Sequence, residues 1–128
     1  MNDTPPRSAI KRWISKFAVA IAGTLWAFRT QNSFYVHLLI TIAVVGLGLS
    51  LQLDRVSLCL LILSIAIVLA AELFNTAIEL LIAALHPERD AKIGRALDTA
   101  AGAVLITAIG AAIVGMIILI PPLLALLD

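Results

Sequence analysis

The sequence predicts an all-α membrane protein, with three transmembrane helices preceded by an N-terminal amphipathic helix on the membrane surface. Three observations predict it. The 128 residues are 62% hydrophobic and only 13% charged, whereas an ordinary soluble domain is about half apolar and about a quarter charged. A chain this short cannot hide so much apolar surface from water, so lipid is the solvent that suits it. The charges are also confined to the stretch through Arg29, to Asp54 and Arg55, and to the run Glu88, Arg89, Asp90, Lys92, Arg95 and Asp98, with only Glu72, Glu79 and Asp128 elsewhere. Between these clusters lie apolar segments at about 34–53, 56–85 and 99–120, each long enough for a hydrocarbon core that takes roughly 20 helical residues to cross.

The same numbers exclude other classes. Nine Lys and Arg against eight Asp and Glu provide no face basic enough to neutralise many phosphates, so no nucleic-acid partner is expected. One cysteine excludes a disulfide scaffold.

Residues 1–8, with Pro5 and Pro6, read as a disordered leader, and residues 9–128 as one domain. No cleavable signal peptide is expected, because Met1 to Lys16 is polar and basic. Over 9–29, Ile10, Trp13, Ile14, Phe17, Ile21, Leu25 and Phe28 recur at helical spacing opposite Lys11, Arg12, Ser15 and Lys16. That pattern predicts a helix lying in the interface, with Trp13 and Trp26 as anchors and the cations toward headgroups. Thr30 to Ser33 are turn-prone polar residues that lead into the first span. Gly46 and Gly48 in that span, and the Ala/Gly-rich third span, predict close helix–helix approach. Pro121 and Pro122 predict a kink or an end near the far interface. The cations before span one and between spans two and three place the N-terminus and the Glu88–Asp98 run in the cytoplasm and the C-terminus outside. Asp98 is expected at the N-terminus of the third span, where the helix dipole favours a carboxylate.

Chemistry concentrates in span two. Glu72, Asn75, Thr76 and Glu79 stand at offsets 0, 3, 4 and 7 and therefore share one face of a helix. The two carboxyl groups are about 10.5 Å apart along the axis, too far to share one ion without other groups but suited to one elongated site. Ionisable residues inside an apolar span are costly and mark functional sites. Interhelical hydrogen bonding is the alternative use of such a face. No phosphate-cradling P-loop sequence is present.

The stretch Ala71-Glu72-Leu73-Phe74-Asn75-Thr76-Ala77-Ile78-Glu79, followed by Gly94-Arg95-Ala96-Leu97-Asp98 and by Ala100 to Leu105, resembles the prokaryotic diacylglycerol kinases, small membrane lipid kinases that include the undecaprenol kinases. Lys16, Phe17, Ala20, Gly23 and Gln31 to His37 extend the resemblance, which covers about Lys11 to Leu119. It implies a homotrimer in the bacterial cytoplasmic membrane that transfers the γ-phosphoryl group of ATP, with Mg²⁺, to a membrane lipid hydroxyl, through active sites shared between subunits. Diacylglycerol, giving phosphatidic acid, is the first acceptor implied and undecaprenol the alternative. By motif position, the resemblance makes Glu72 the catalytic base, Asn75 its positioning partner and Glu79 a magnesium ligand. It puts Lys16, Gly23, Glu79, Glu88, Arg89, Asp90 and Asp98 at the nucleotide, and Asn32, Ser33, Phe34, Tyr35 and Glu72 at the lipid.

Gln31 stands where that family usually has a second metal-binding Glu; its amide oxygen can coordinate Mg²⁺ without supplying charge. Leu97 stands where a Lys usually precedes the Asp, and Ala83 replaces an Asp of some members. These positions motivate a second reading, a catalytically impaired membrane module that binds lipid or nucleotide. A small ion-conducting oligomer would also use intramembrane Glu residues, but needs neither Asn75 nor the charged run.

Overall fold

The computed structural model describes residues 9–86, 88 and 90–127, so the leader at 1–8 and the nucleotide expectation at Arg89 lie outside the described residues. The protein is four helices in sequence: α1 (Ala9–Thr30), α2 (Asn32–Ser50), α3 (Arg55–Leu85) and α4 (Ala91–Leu124). Three of them, α2, α3 and α4, are long and apolar enough to cross a membrane. The helical count and the three spans agree with the sequence.

Each helix boundary has a local cause. Gln31 alone separates α1 from α2, its backbone extended at φ −104° and ψ 119°. At the end of α2, Leu53 N donates to Gly48 O at 3.2 Å while Gln52 takes a left-handed φ of 53°, the arrangement in which a helix ends on a residue that is usually glycine. Gly48 allows the turn to fold back, since a Cβ there would lie 3.3 Å from side-chain atoms of both Leu53 and Leu58. Asp54 then opens α3, accepting from the backbone N–H groups of Val56 and Ser57, and its Oδ2 accepts from the Ser57 hydroxyl at 2.6 Å.

Asp90 opens α4 in the same way, its Oδ1 accepting from the backbone N–H of Lys92 and of Ile93 at 2.7 and 2.9 Å. This corrects the expectation for Asp98, which lies two turns inside α4. The charged stretch from Lys92 to Asp98 is helix because nothing requires a helix to end where the hydrocarbon does. Hydrogen bonds hold both capping carboxyls below the usual carboxylate range, mainly that from the Ser57 side chain at Asp54 and those from the Ile93 and Lys92 N–H groups at Asp90. Pro121 and Pro122 fall in the last turn of α4, which ends at Leu124.

Packing follows a spacing of three and four residues. The most extensive contact is α3 along α4; α2 lies on α3, and α1 touches α2 and α3 over short stretches. Leu61, Val68, Glu72 and Thr76 of α3 are buried, with Leu119 of α4 and Phe34 of α2. Phe34 is fully covered, its ring 4.6 Å from that of Phe28, which seats the end of α1 on α2. Within the chain only Gly48 is tightly approached; a Cβ at Gly46, Gly102, Gly110 or Gly115 would meet nothing within 4 Å. Those four glycines therefore face open space within a single copy. Total accessible surface is 9890 Å², against about 6,600 Å² for a water-soluble chain of this mass, and much of the excess is exposed Ile, Leu and Val.

Gln52→Gly should stabilise the protein by up to about 1 kcal/mol, because glycine meets no steric penalty at positive φ; thermal unfolding in detergent checks this. The stabilisation from Asp54 and Asp90 should be present above the ordinary carboxylate pKa and be lost as pH falls through their lowered folded values. Asp54→Ala and Asp90→Ala should therefore lower the unfolding midpoint at neutral pH and lose that effect in strong acid.

Candidate functional site

Seven residues from three helices enclose a pocket of about 290 Å³: Ser33 of α2, Glu72, Asn75, Thr76 and Glu79 of α3, and Ala101 and Val104 of α4. The α3 face legible in the sequence is its polar wall. Ala101 and Val104 form the opposite wall, and their small size leaves it room.

Within the pocket the polar groups differ in exposure. Glu72 is 5% exposed and Thr76 4%, while Glu79 is exposed. Asn75 Nδ2 donates to Glu79 Oε1 at 2.8 Å, which orients the amide, since a carboxylate oxygen can only accept. The opposite end, Asn75 Oδ1, is buried without a donor. An unpaired buried acceptor costs roughly 1–3 kcal/mol, so the position is held at some expense of stability. The Glu72 carboxyl makes no hydrogen bond among the described residues, and Glu72 lines the pocket.

Helix length fixes the depth of the pocket. For upright helices, about 20 residues cross the hydrocarbon. Counted from the turn that joins α2 to α3, this crossing ends on α3 near Asn75; α2, with 19 residues, ends it at Asn32 and Ser33. Counted from Leu124, it ends on α4 near Val104. All three counts meet at the pocket, with Glu72 just inside the apolar boundary and Glu79 just outside it.

The other predicted site residues are distributed as follows. Asp98 is exposed on α4 one turn before Ala101, on the pocket side of the helix but outside its lining. Lys16 is exposed, with its ammonium 5.2 Å from the Trp13 ring, and Gly23 is open; neither lines the pocket. Gln31 is half-buried at the α1–α2 junction and Asn32 starts α2, both outside the lining. Tyr35 is exposed and its hydroxyl donates to Arg29 O at 3.5 Å. Phe34 is enclosed against Phe28. Glu88 is exposed, with its carbonyl 3.2 Å from His86 Nδ1. Thr76 is the one buried polar wall residue without an assigned role in the sequence reading, although its offset of four from Glu72 marked it as facing the same way.

Among the described residues no group of three or more His, Cys, Asp or Glu is gathered for a metal. Mg²⁺ needs no such cage, because it is usually held by one or two carboxylates together with substrate phosphates and water. Glu79 fits that requirement, exposed and with one oxygen not engaged by Asn75.

Residues 18–119 match the family described as prokaryotic diacylglycerol kinase. The chain belongs to that family. A diacylglycerol kinase of Synechocystis sp. is 38% identical over 112 residues, covering 87% of this chain and 64% of the relative. An undecaprenol kinase of Bacillus subtilis is 29% identical over 123 residues, covering 96% of this chain and all of the relative. The chain thus spans about two thirds of the first relative's length and the whole of the second's. The matched range of this diacylglycerol kinase family member contains every pocket residue.

Glu72→Leu should raise the stability of the protein in detergent by about 1–3 kcal/mol, because it removes a buried polar group that has no hydrogen-bond partner among the described residues. Glu79→Leu, at an exposed position, should change it little. A fall in the unfolding midpoint for Glu72→Leu would contradict this reading of the pocket.

Proposed function

We propose that this chain is an integral-membrane lipid kinase that transfers the γ-phosphoryl group of ATP to a lipid hydroxyl, with diacylglycerol as the first acceptor and undecaprenol as the alternative. The observation that carries the reading is the depth profile of one α3 face: a buried carboxyl at Glu72, an unpaired buried oxygen at Asn75 and an exposed carboxyl at Glu79. A lipid headgroup arriving sideways meets Glu72, and a nucleotide arriving from water meets Glu79.

In this mechanism the acceptor hydroxyl lies beside Glu72 and Asn75. Glu72 takes the hydroxyl proton as the lipid oxygen bonds to the γ-phosphorus and the bond from that phosphorus to the bridging oxygen of ADP breaks. Asn75, its Nδ2 tied to Glu79, lines the same pocket and fixes the position of Glu79 beside Glu72. Glu79 would hold Mg²⁺ with phosphate oxygens and water, and the bound ion would neutralise charge developing on the phosphates. Asp98 one turn along α4, and Lys16, Gly23, Glu88 and Asp90, are the chain's candidates for the nucleotide; Gln31 is the candidate for an additional amide oxygen on the metal.

The protein is assigned to the bacterial cytoplasmic membrane, with its N-terminus and the α3–α4 connection in the cytoplasm and its C-terminus outside. The cation distribution supports that orientation. The α1 helix lies in the interface, supported by exposed Ile10, Trp13, Ile14 and Phe17 alongside Lys11, Arg12 and Lys16. Self-association, as a homotrimer with shared sites, would cover part of the exposed apolar surface of α2 to α4 and could bring nucleotide candidates that do not line the pocket, such as Lys16 and Gly23, to a neighbouring copy's pocket.

One observation favours a second reading, a module that binds lipid or nucleotide without turnover. Leu97 is half-buried on α4, so an apolar side chain stands before Asp98 where the resemblance implies a cation.

Purified protein in lipid nanodiscs, given labelled ATP and Mg²⁺, should phosphorylate diacylglycerol or undecaprenol. Glu72→Gln should reduce transfer by about 10²–10⁴-fold, the usual weight of a positioned base. Wild-type protein inactive on both acceptors, and gaining activity from Gln31→Glu with Leu97→Lys, would establish the second reading instead.

A further inference from the structure

A second cavity, of about 390 Å³, runs between α2, α3 and α4. It begins one helical turn beyond the polar pocket on every helix. On α2, His37 follows Ser33 by four residues; on α3, Leu69 precedes Glu72 by three; on α4, Ala108 follows Val104 by four. Because α3 runs opposite to α2 and α4, all three steps point the same way, from the membrane boundary into the hydrocarbon and away from Glu79. The groove continues to Leu61 on α3 and to Leu123 on α4, about 22 Å along the latter axis at 1.5 Å per residue. Its walls are almost wholly apolar, and the hydroxyl of Ser64 is already donated to Leu60 O of its own helix.

We propose that this groove receives a hydrocarbon chain of the lipid acceptor whose hydroxyl reaches Glu72, so that the protein reads the length of the acceptor's chain as well as its headgroup. The proposal rests on the lipid-kinase reading of the α3 face. The occupant's chemistry follows from the junction of the two cavities. A pocket with two carboxyl groups lies one helical turn from an apolar slot that deepens into the membrane, and a neutral alcohol on a long hydrocarbon chain matches both. Diacylglycerol and polyprenol share that chemistry.

Lipid tails are as apolar as the groove wall, so entering it from the bilayer brings little net burial. Its contribution is orientation. A chain held along the slot keeps the attached hydroxyl at the Glu72 end, which lowers the entropy to be lost on reaching the reactive geometry. The signature is therefore a dependence of kcat/KM on acceptor chain length.

Two glycines of α4 supply the test. Gly115 lines the groove and Gly110 does not, and a Cβ at either meets nothing within 4 Å. Gly115→Leu therefore narrows the slot without a backbone clash, and Gly110→Leu controls for a bulkier helix. Transfer from Mg-ATP is measured in nanodiscs for dioctanoylglycerol against dioleoylglycerol and for farnesol against undecaprenol; the pair that responds identifies the source of the chain. Gly115→Leu should lower kcat/KM for the long-chain member about ten-fold, leaving the short-chain member and the KM for ATP unchanged, and Gly110→Leu should resemble wild type. Equal losses on short and long acceptors, or no difference between the two variants, would overturn the proposal. If wild-type protein phosphorylates no acceptor of any length, the kinase reading fails, and the groove is tested separately. A long-chain alcohol with a diazirine at its tail should label α4 near Gly115 and Leu119 in wild type and not in Gly115→Leu. Labelling only on outward faces, or intersubunit crosslinks from a photoreactive residue at Ala112 in place of lipid adducts, would reject the groove as a chain site.

Discussion

α3 is about 46 Å long and a hydrocarbon core about 30 Å thick, so roughly ten of its 31 residues must stand outside the apolar layer. The remainder of the structure depends on where that excess falls. The short turn from Ser50 to Arg55, closed by Gly48 and capped by Asp54, leaves no length to project at that end. The excess appears at the other end, where α3 carries Asn75 and Glu79 through the boundary and α4 extends Asp90 to Asp98 beyond it. A helix face that would be untenable at mid-membrane becomes a graded surface, apolar at Val68, buried and polar at Glu72, wet at Glu79.

The gradient explains why these side chains are arranged at some cost to stability. Asn75 Oδ1 is buried without a donor and Glu72 has no hydrogen-bond partner among the described residues, while Nδ2 of the same Asn is firmly held by Glu79. A face built only to join helices would pair these groups with each other. Leaving a carboxyl without a partner on the lining of a cavity fits a surface completed by a bound molecule, the role the proposed lipid acceptor fills. Ala101 and Val104 matter for what they lack: larger side chains there would close the pocket.

Much of this was legible in the sequence, for a physical reason. Charge is too expensive in hydrocarbon to be placed casually, so uncharged runs marked the spans, and the offsets of Glu72, Asn75, Thr76 and Glu79 marked the polar face that lines the pocket. The start of α4 was not legible, because Lys92, Arg95 and Asp98 read as a loop when charge alone is taken to end a span; the decisive signal was the capping geometry available to Asp90. The resemblance puts Phe34 at the lipid acceptor, but it stands three residues before His37 and seven before Thr41 on the packed face of α2, fully covered and against Phe28. The α4 wall and the groove beyond it depend on the register of α3 against α4, which no single helix encodes. The glycines of α4 presented close approach in sequence and open space within one copy.

The central claim is a division of labour along one helix face, with Glu72 serving the lipid and Glu79 the metal-bound nucleotide. Its most direct measurement is the affinity of a fluorescent ATP analogue as a function of Mg²⁺ in nanodiscs, for wild type, Glu72→Gln and Glu79→Gln. The account predicts that Glu79→Gln weakens Mg²⁺-dependent nucleotide binding by about ten-fold or more, while Glu72→Gln binds as wild type does although it no longer transfers phosphate. Loss of binding in Glu72→Gln, or undiminished Mg²⁺-dependent binding in Glu79→Gln, would contradict it.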